Sequence, residues 1–210
     1  MSEIIEVYVE GPQGPQGVSG VGIPAGGTEG QILKKLGVEN YSLAWFDNNK
    51  LNGFVDFNDT STASAPVSIA ANTWTDIPND GLGSFSNLAY QPDNATITLD
   101  SLGNFIFSDL SLGDQVIIRN DYTVYPNINN ALLKFRYVLG EGASQYTLEK
   151  RVGRLDDGAG NLYRESLVAD YIYAGDVNTK DYPIKLQLHL SSGGTFTNAG
   201  SAIGIFKHVY

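Results

Sequence analysis

The chain contains no cysteine, which excludes a disulfide framework, a thiolate metal site and a cysteine nucleophile. His189 and His208 are its only histidines, so a zinc site would have to draw most of its ligands from carboxylates. No run approaches the ~20 consecutive apolar residues of a membrane helix, and Met1 to Glu10 shows neither the basic nor the apolar segment of a signal peptide. Cations are scarce: 13 Lys and Arg stand against 23 Asp and Glu, for a formal net charge of −10. Residues 1–130 hold only four of those cations. Nucleic acid is bound chiefly by neutralising phosphates, so it makes a poor partner for such a chain. What is present is 42% hydrophobic residues, ample for a core and against uniform disorder. The length of 210 residues suits one domain with an appendage.

Glycine supplies the first pattern. Gly11, Gly14, Gly17 and Gly20 recur every third residue, with Pro12 and Pro15 following two of them. This is the collagen repeat, in which three polyproline II strands meet at an axis that admits only a hydrogen atom. The other reading of residues 11–22 is a flexible Gly/Pro linker. So short a triple helix does not offset its ordering entropy of ~1–2 kcal/mol per residue per chain, so the collagen reading requires a neighbouring trimerising element. Upstream, Ile5, Val7 and Val9 alternate with Glu6, Tyr8 and Glu10, a strand period. Residues 1–10, with Ile5, Val7, Tyr8 and Val9, therefore read either as a docking strand for a larger assembly or as a loose tail.

Ile23 to Phe46 reads IPAGGTEGQILKKLGVENYSLAWF. Taken alone, Gln31 to Leu36 suits one helical turn ended by Gly37, and Tyr41, Leu43 and Trp45 alternate as a short strand. So small a segment needs lateral support from other chains. Gly-X-Y triplets followed by Pro24, Gly26, Gly27, Thr28, Gly30, Gln31 and Leu33, then Tyr41 and Trp45, resemble fibre and spike proteins of tailed bacteriophages. The resemblance implies that residues 23–46 form a small trimeric module threaded on a fibre.

Residues 47–65 are rich in Asn, Asp, Ser and Thr and read as a linker or exposed strands. From residue 66 to 210 the texture is that of short strands punctuated by turns. The expected strands are Trp74 to Ile77, Ala95 to Asp100, Phe105 to Phe107, Gln115 to Val124, Ala131 to Leu139, Tyr146 to Val152, Ile184 to Leu190 and Ala202 to Tyr210. Ile184, Leu186, Leu188 and Leu190 share one face and Lys185, Gln187 and His189 the other, the mark of a sheet buried on one side. Leu162 to Tyr173 fits both periods and is read as strand. The fold class that follows is all-β, an antiparallel β-sandwich of jelly-roll type. The order of strands, with Trp74, the Gly-Asn-Phe-x-Phe segment at 103–107 and the Ala-Ile-Gly-Ile-Phe ending at 202–206, is similar to the trimeric heads of the tumour necrosis factor and complement-head superfamily. That resemblance implies a homotrimer, the element the triplets require.

The residues offer little chemistry. His189 stands on the polar face of its strand and reads as a solvated or interface side chain. No Gly-x-Ser-x-Gly elbow occurs, and no spacing fixes a carboxylate pair at glycosidase distance. Asp156, Asp157, Gly158 and Asn161 are read as a hairpin turn before a Ca²⁺ loop. The tyrosines Tyr122, Tyr125, Tyr171, Tyr173 and Tyr182 suit the core, a threefold interface or recognition. No catalytic residue, metal or cofactor is expected.

Together the resemblances imply a non-enzymatic virion fibre on the phage surface, made in the host cytoplasm without membrane insertion. Its partners would be two further copies of itself, a capsid or tail protein at the N-terminus, and a host-surface glycan or protein at the head. A capsid decoration, vertex or head-fibre protein without receptor has the same order of segments, and a polysaccharide-degrading spike is the remaining alternative.

Overall fold

A computed structural model describes residues 23–39, 42–58, 65–77, 79, 84–156, 163–168 and 171–208, with 163–168 described by their backbone. The expected docking strand and the Gly-X-Y triplets lie outside the described residues. The chain divides into two compact units, residues 1–48 and 49–210.

In the first unit β1 (Gln31–Lys35) pairs antiparallel with β2 (Leu43–Asp47). The helical turn expected at Gln31 to Leu36 is therefore a strand. Isolated helical turns are poorly stable, whereas pairing places Leu33 opposite Trp45 and satisfies the backbone.

The second unit contains β3 (Asn52–Asn58), β4 (Val67–Ile69), β5 (Trp74–Asp76), β6 (Ser84–Ser86), β7 (Thr98–Leu99), β8 (Phe105–Ile106), β9 (Gln115–Pro126), β10 (Ala131–Leu139), β11 (Tyr146–Leu155), β12 (Tyr163–Val168), β13 (Ile172–Tyr173), β14 (Lys185–Leu190) and β15 (Gly194–Phe206). A five-residue helix, α1 (Val177–Asp181), precedes β14, and the Asp176 carboxylate accepts from the Thr179 N–H at 2.7 Å. One sheet has the order β12-β9-β15-β3-β6 and the other β11-β10-β14-β5. The antiparallel neighbours β3 and β15, β5 and β14, β9 and β12, β10 and β11 are a ribbon wound upon itself, with successive pairs alternating between sheets. This is an all-β antiparallel jelly roll.

Alternation along each strand sets the core. Val55 and Phe57 of β3, Ile118, Tyr122 and Val124 of β9, Leu133 and Phe135 of β10, Leu188 and Leu190 of β14, and Phe196, Ile203 and Ile205 of β15 are all buried. Tyr122, Phe135 and Phe196 meet with ring centroids 4.5, 5.2 and 6.1 Å apart. Each such side chain stabilises the fold by ~1.5–3 kcal/mol through loss of hydrated area.

Two boundaries depart from the sequence expectation. The segment 47–65, read as a linker or exposed strands, contains β3, which pairs with β15 along all seven residues; the second unit begins at Asn49 rather than near Pro66. Only two inward residues, Val55 and Phe57, mark the strand among polar neighbours, so its burial comes from its sheet partners. The last strand, expected from Ala202, starts at Gly194. β15 runs against β9 over this whole length, with a bulge between Asn198 and Gly200. Gly200 has φ +127°, and a Cβ there would stand 2.2 Å from the Phe57 carbonyl oxygen, so only glycine fits. The ambiguous segment Leu162 to Tyr173 supplies two strands, β12 and β13, both on β9.

Candidate functional site

In the first unit the fibre-block residues act on one side chain. The Trp45 indole Nε1 donates to the Pro24 carbonyl at 2.6 Å, tying the entry of the segment to β2. Gly27 lies under the indole: a Cβ there would be 2.5 Å from Trp45 Cε2. Gly26 and Gly30 have φ of +101° and +87°, values that favour glycine, and Gln31 closes the turn by accepting from the Thr28 N–H at 3.1 Å and donating to Asp47 at 2.9 Å. Pro24, Gly26, Gly27, Gly30, Leu33 and Trp45 are thus brought together as a clasped hairpin. Ile5, Val7, Tyr8, Val9, Gly11, Gly14, Gly17 and Gly20 lie outside the described residues, as do Asp157, Gly158 and Asn161 of the turn.

In the second unit the outer face of the β9-β15-β3 sheet is apolar at its centre. The outward residues of β15 are small, Ala202 and Gly204, then Phe206. Register sets Phe54, Gly204 and Ile117 in one row, and Asp56, Ala202 and Arg119 in the next. Phe54 and Ile117 therefore wall a shallow groove of about 460 Å³ floored by β15. Phe54 is 40% exposed and stacks on Tyr90 at 5.2 Å; Tyr171, 61% exposed, meets Phe206 edge-on at 6.3 Å. Arg119 pairs with Asp121 at 3.0 Å beside this groove. The sequence carries no sign of this surface: Phe54 lies in the segment read as a linker or exposed strands, and only register brings it beside Gly204 and Ile117.

Between the sheets lies a buried polar cluster. Asn120 donates to the Tyr137 hydroxyl and accepts from Ser201 Oγ at 2.7 Å. Asn79 donates to the Gly103 carbonyl at 2.9 Å, and Asn198 donates to Asn79 at 3.2 Å. Burial pushes the Tyr137 hydroxyl far above its usual pKa, against the lowering effect of its bond with Asn120. The cluster encloses a cavity of about 10 Å³, the size of one water molecule. Its groups are neutral amides and hydroxyls bonded mainly to one another, which suits register setting better than catalysis.

The histidines are apart. His189 lies half-buried on β14 beside Trp74, ring centroids 5.3 Å apart, and His208 lies near the chain end with its Nε2 3.3 Å from Gln115. Among the described residues no group of three His, Cys, Asp or Glu side chains is arranged to hold a metal ion. Tyr122 is in the core, whereas Tyr125, Tyr171, Tyr173 and Tyr182 are exposed. No described helix is long and apolar enough to cross a membrane.

No family model and no curated protein sequence matches the chain. Among solved structures it is similar to the PRD1 vertex protein P5, at 17% identity over 76% of this chain and 99% of that one, with a TM-score of 0.42. It is also similar to the Eiger TNF of S. frugiperda, at 10% identity over 76% and 94% of the two chains and a TM-score of 0.41. A third similarity is to the infectious bursal disease virus Gt strain structure, at 11% identity over 82% of this chain and 37% of that one, with a TM-score of 0.37.

Proposed function

We propose that the chain is a non-enzymatic homotrimeric fibre on the virion of a tailed bacteriophage, docked through its N-terminal segment and carrying a jelly-roll head for attachment to the host surface. The observation that carries this reading is the order of segments: an alternating sequence at residues 1–10, Gly-X-Y triplets, a Trp45-clasped glycine block, then a jelly roll. A triple helix requires three chains in register, and the apolar groove between Phe54 and Ile117 supports this reading as a surface on which copies of the head would meet. Geometry then does the work: three weak head sites on one trimer, repeated over many fibres, bind with avidity.

Mass in solution tests the assembly. Three chains of 22.6 kDa give about 68 kDa, and a stable monomer of about 23 kDa overturns the trimer. Adsorption of the purified protein to host cells tests attachment; a trimer that adsorbs to none leaves only the structural role.

A further inference from the structure

The outer face of the other sheet has the opposite chemistry. Alternation in β10 and β14 turns Leu133, Phe135, Leu188 and Leu190 inward, so Lys134, Arg136, Gln187 and His189 face out. Register then aligns Arg151, Lys134, His189 and Trp74 in one row across four strands, and Glu149, Arg136, Gln187 and Asp76 in the next. On a chain of formal charge −10, these rows carry three permanent cations and a histidine against two carboxylates. Arg151 stands directly opposite Lys134, and Lys134 directly opposite His189. Like charges directly opposite, as Arg151 and Lys134 are, destabilise a sheet, and of these two only Lys134 has a carboxylate partner among the described residues, Glu149 at 2.9 Å.

Arg136 is held ready for a ligand. Its Nε donates to Gln187 Oε1 at 2.6 Å, and Gln187 Nε2 in turn donates to Asp76 Oδ1 at 2.6 Å. Its guanidinium carbon lies 4.3 Å from the Trp74 ring centroid, a cation–π contact that fixes its plane. No described residue accepts from its Nη1 or Nη2 in the hydrogen bonds of this face, which leaves the fork that pairs bidentately with a carboxylate. The His189 ring also lies beside the indole, centroids 5.3 Å apart, and its buried Nδ1 has no hydrogen-bond partner among the described residues. Lys134 is shared with Glu149 at 2.9 Å, while Arg151 is exposed.

We infer that this face binds an acidic, carboxylate-bearing polysaccharide of the bacterial surface, with Arg136 as the central anchor and Lys134 and Arg151 as flanking cations. The inference names the receptor class for the attachment reading and rests on it. Cations on adjacent strands are spaced by ~5 Å, and by ~7–8 Å on diagonals, which suits a polymer with its charges spread along sugar rings. Nucleic acid, with a phosphate charge every ~1.7 Å of duplex, is too densely charged to be matched by three cations at strand spacing.

The test uses the full chain and polygalacturonate of defined length, with dextran as the uncharged control and single-stranded DNA as the dense polyanion. The expected result is salt-sensitive binding of polygalacturonate, absent with dextran and weaker with DNA. Arg136→Gln weakens it by about tenfold or more, the loss of a charge-assisted hydrogen bond. Arg136→Lys restores only part, because the charge returns without the fork, and the exposed Arg151→Gln gives a smaller loss without touching the Trp74 contact. Lys34→Gln, in the other unit, leaves binding unchanged. Equal binding by the parent, Arg136→Gln and Arg151→Gln, equal binding of dextran, or preference for DNA overturns the inference. Host-cell adsorption of the same variants separates the two levels: adsorption insensitive to Arg136→Gln defeats this site and keeps attachment, while no adsorption by the parent defeats attachment itself.

Discussion

Gly204→Glu puts a carboxylate at the middle of the groove floor, between Phe54 and Ile117. Within one chain the change is mild. A Cβ at Gly204 meets Phe206 Cε2 at 3.5 Å and the Ile117 oxygen at 3.9 Å, ordinary contacts, and the side chain emerges into water. In the proposed trimer each carboxylate is instead covered with no cation of its own, because Arg119, one row away, is engaged by Asp121 at 3.0 Å. An uncompensated buried charge costs about 3–5 kcal/mol. Over three chains that is about 9–15 kcal/mol, and at 1.4 kcal/mol per decade the association constant of the heads falls by about six orders or more. The chain contains no cysteine, so Ala202→Cys in the same groove supplies a unique thiol reporter. Sedimentation equilibrium and thiol labelling together form the assay. The parent background gives about 68 kDa, three chains of 22.6 kDa, with slow labelling at position 202. The Gly204→Glu background gives labelling as fast as at Thr147→Cys, an exposed site on β11, with a loss of mass unless the N-terminal segments hold the chains together. Unchanged mass with unchanged protection at position 202 refutes the argument that copies meet in this groove.

Gly27→Ala drives a methyl into the Trp45 indole and breaks its bond to Pro24; in a Trp74→Phe background the tryptophan emission shifts to the red while the head melts as before, and an unshifted emission contradicts the clasp. Tyr137→Phe leaves the buried Asn120 amide short of an acceptor and lowers unfolding free energy by about 1–3 kcal/mol, measured by denaturant titration; a neutral result would mean that the cluster rearranges freely. Burial raises the pKa of Asp100, but hydrogen bonds from the Asn104 side chain and from the backbone N–H groups of Asn104 and Leu102, with the Lys185 charge, bring it net below the ordinary 3.8. A depressed carboxylate pKa stabilises above the unfolded-state value and ceases to as pH falls through the folded-state value. The stability advantage of the parent over Asp100→Asn is therefore full at neutral pH and shrinks below pH 3.8; a gap that widens in acid contradicts the assignment.

Strand identity was legible where alternation was strong. Ala131 to Leu139 is the strand expected, and Ile184 to Leu190 differs by one residue; the second alternates apolar and polar residues throughout, the first only at its centre, Leu133 to Tyr137. The glycine block was singled out by resemblance; the structure gathers Pro24 and Gly27 on the Trp45 indole, and the helical turn read at Gln31 to Leu36 is a strand. Local composition misled at β3 and at the start of β15. Asn, Asp and Gly there signal turns, whereas pairing with a neighbouring strand imposed extended backbone.

The sequence by itself determined the all-β class, the absence of thiol chemistry, the acidic balance and the alternating faces, since these follow from residue type and a period of two. Tertiary structure alone decided the chemistry of the two outer faces. Lys134, Arg136, Arg151, His189 and Trp74 come from four strands and lie up to 115 residues apart, and Phe54, Ile117 and Gly204 come from three. Which of them become neighbours depends on register, a long-range property of the wound ribbon that no local window of the chain encodes.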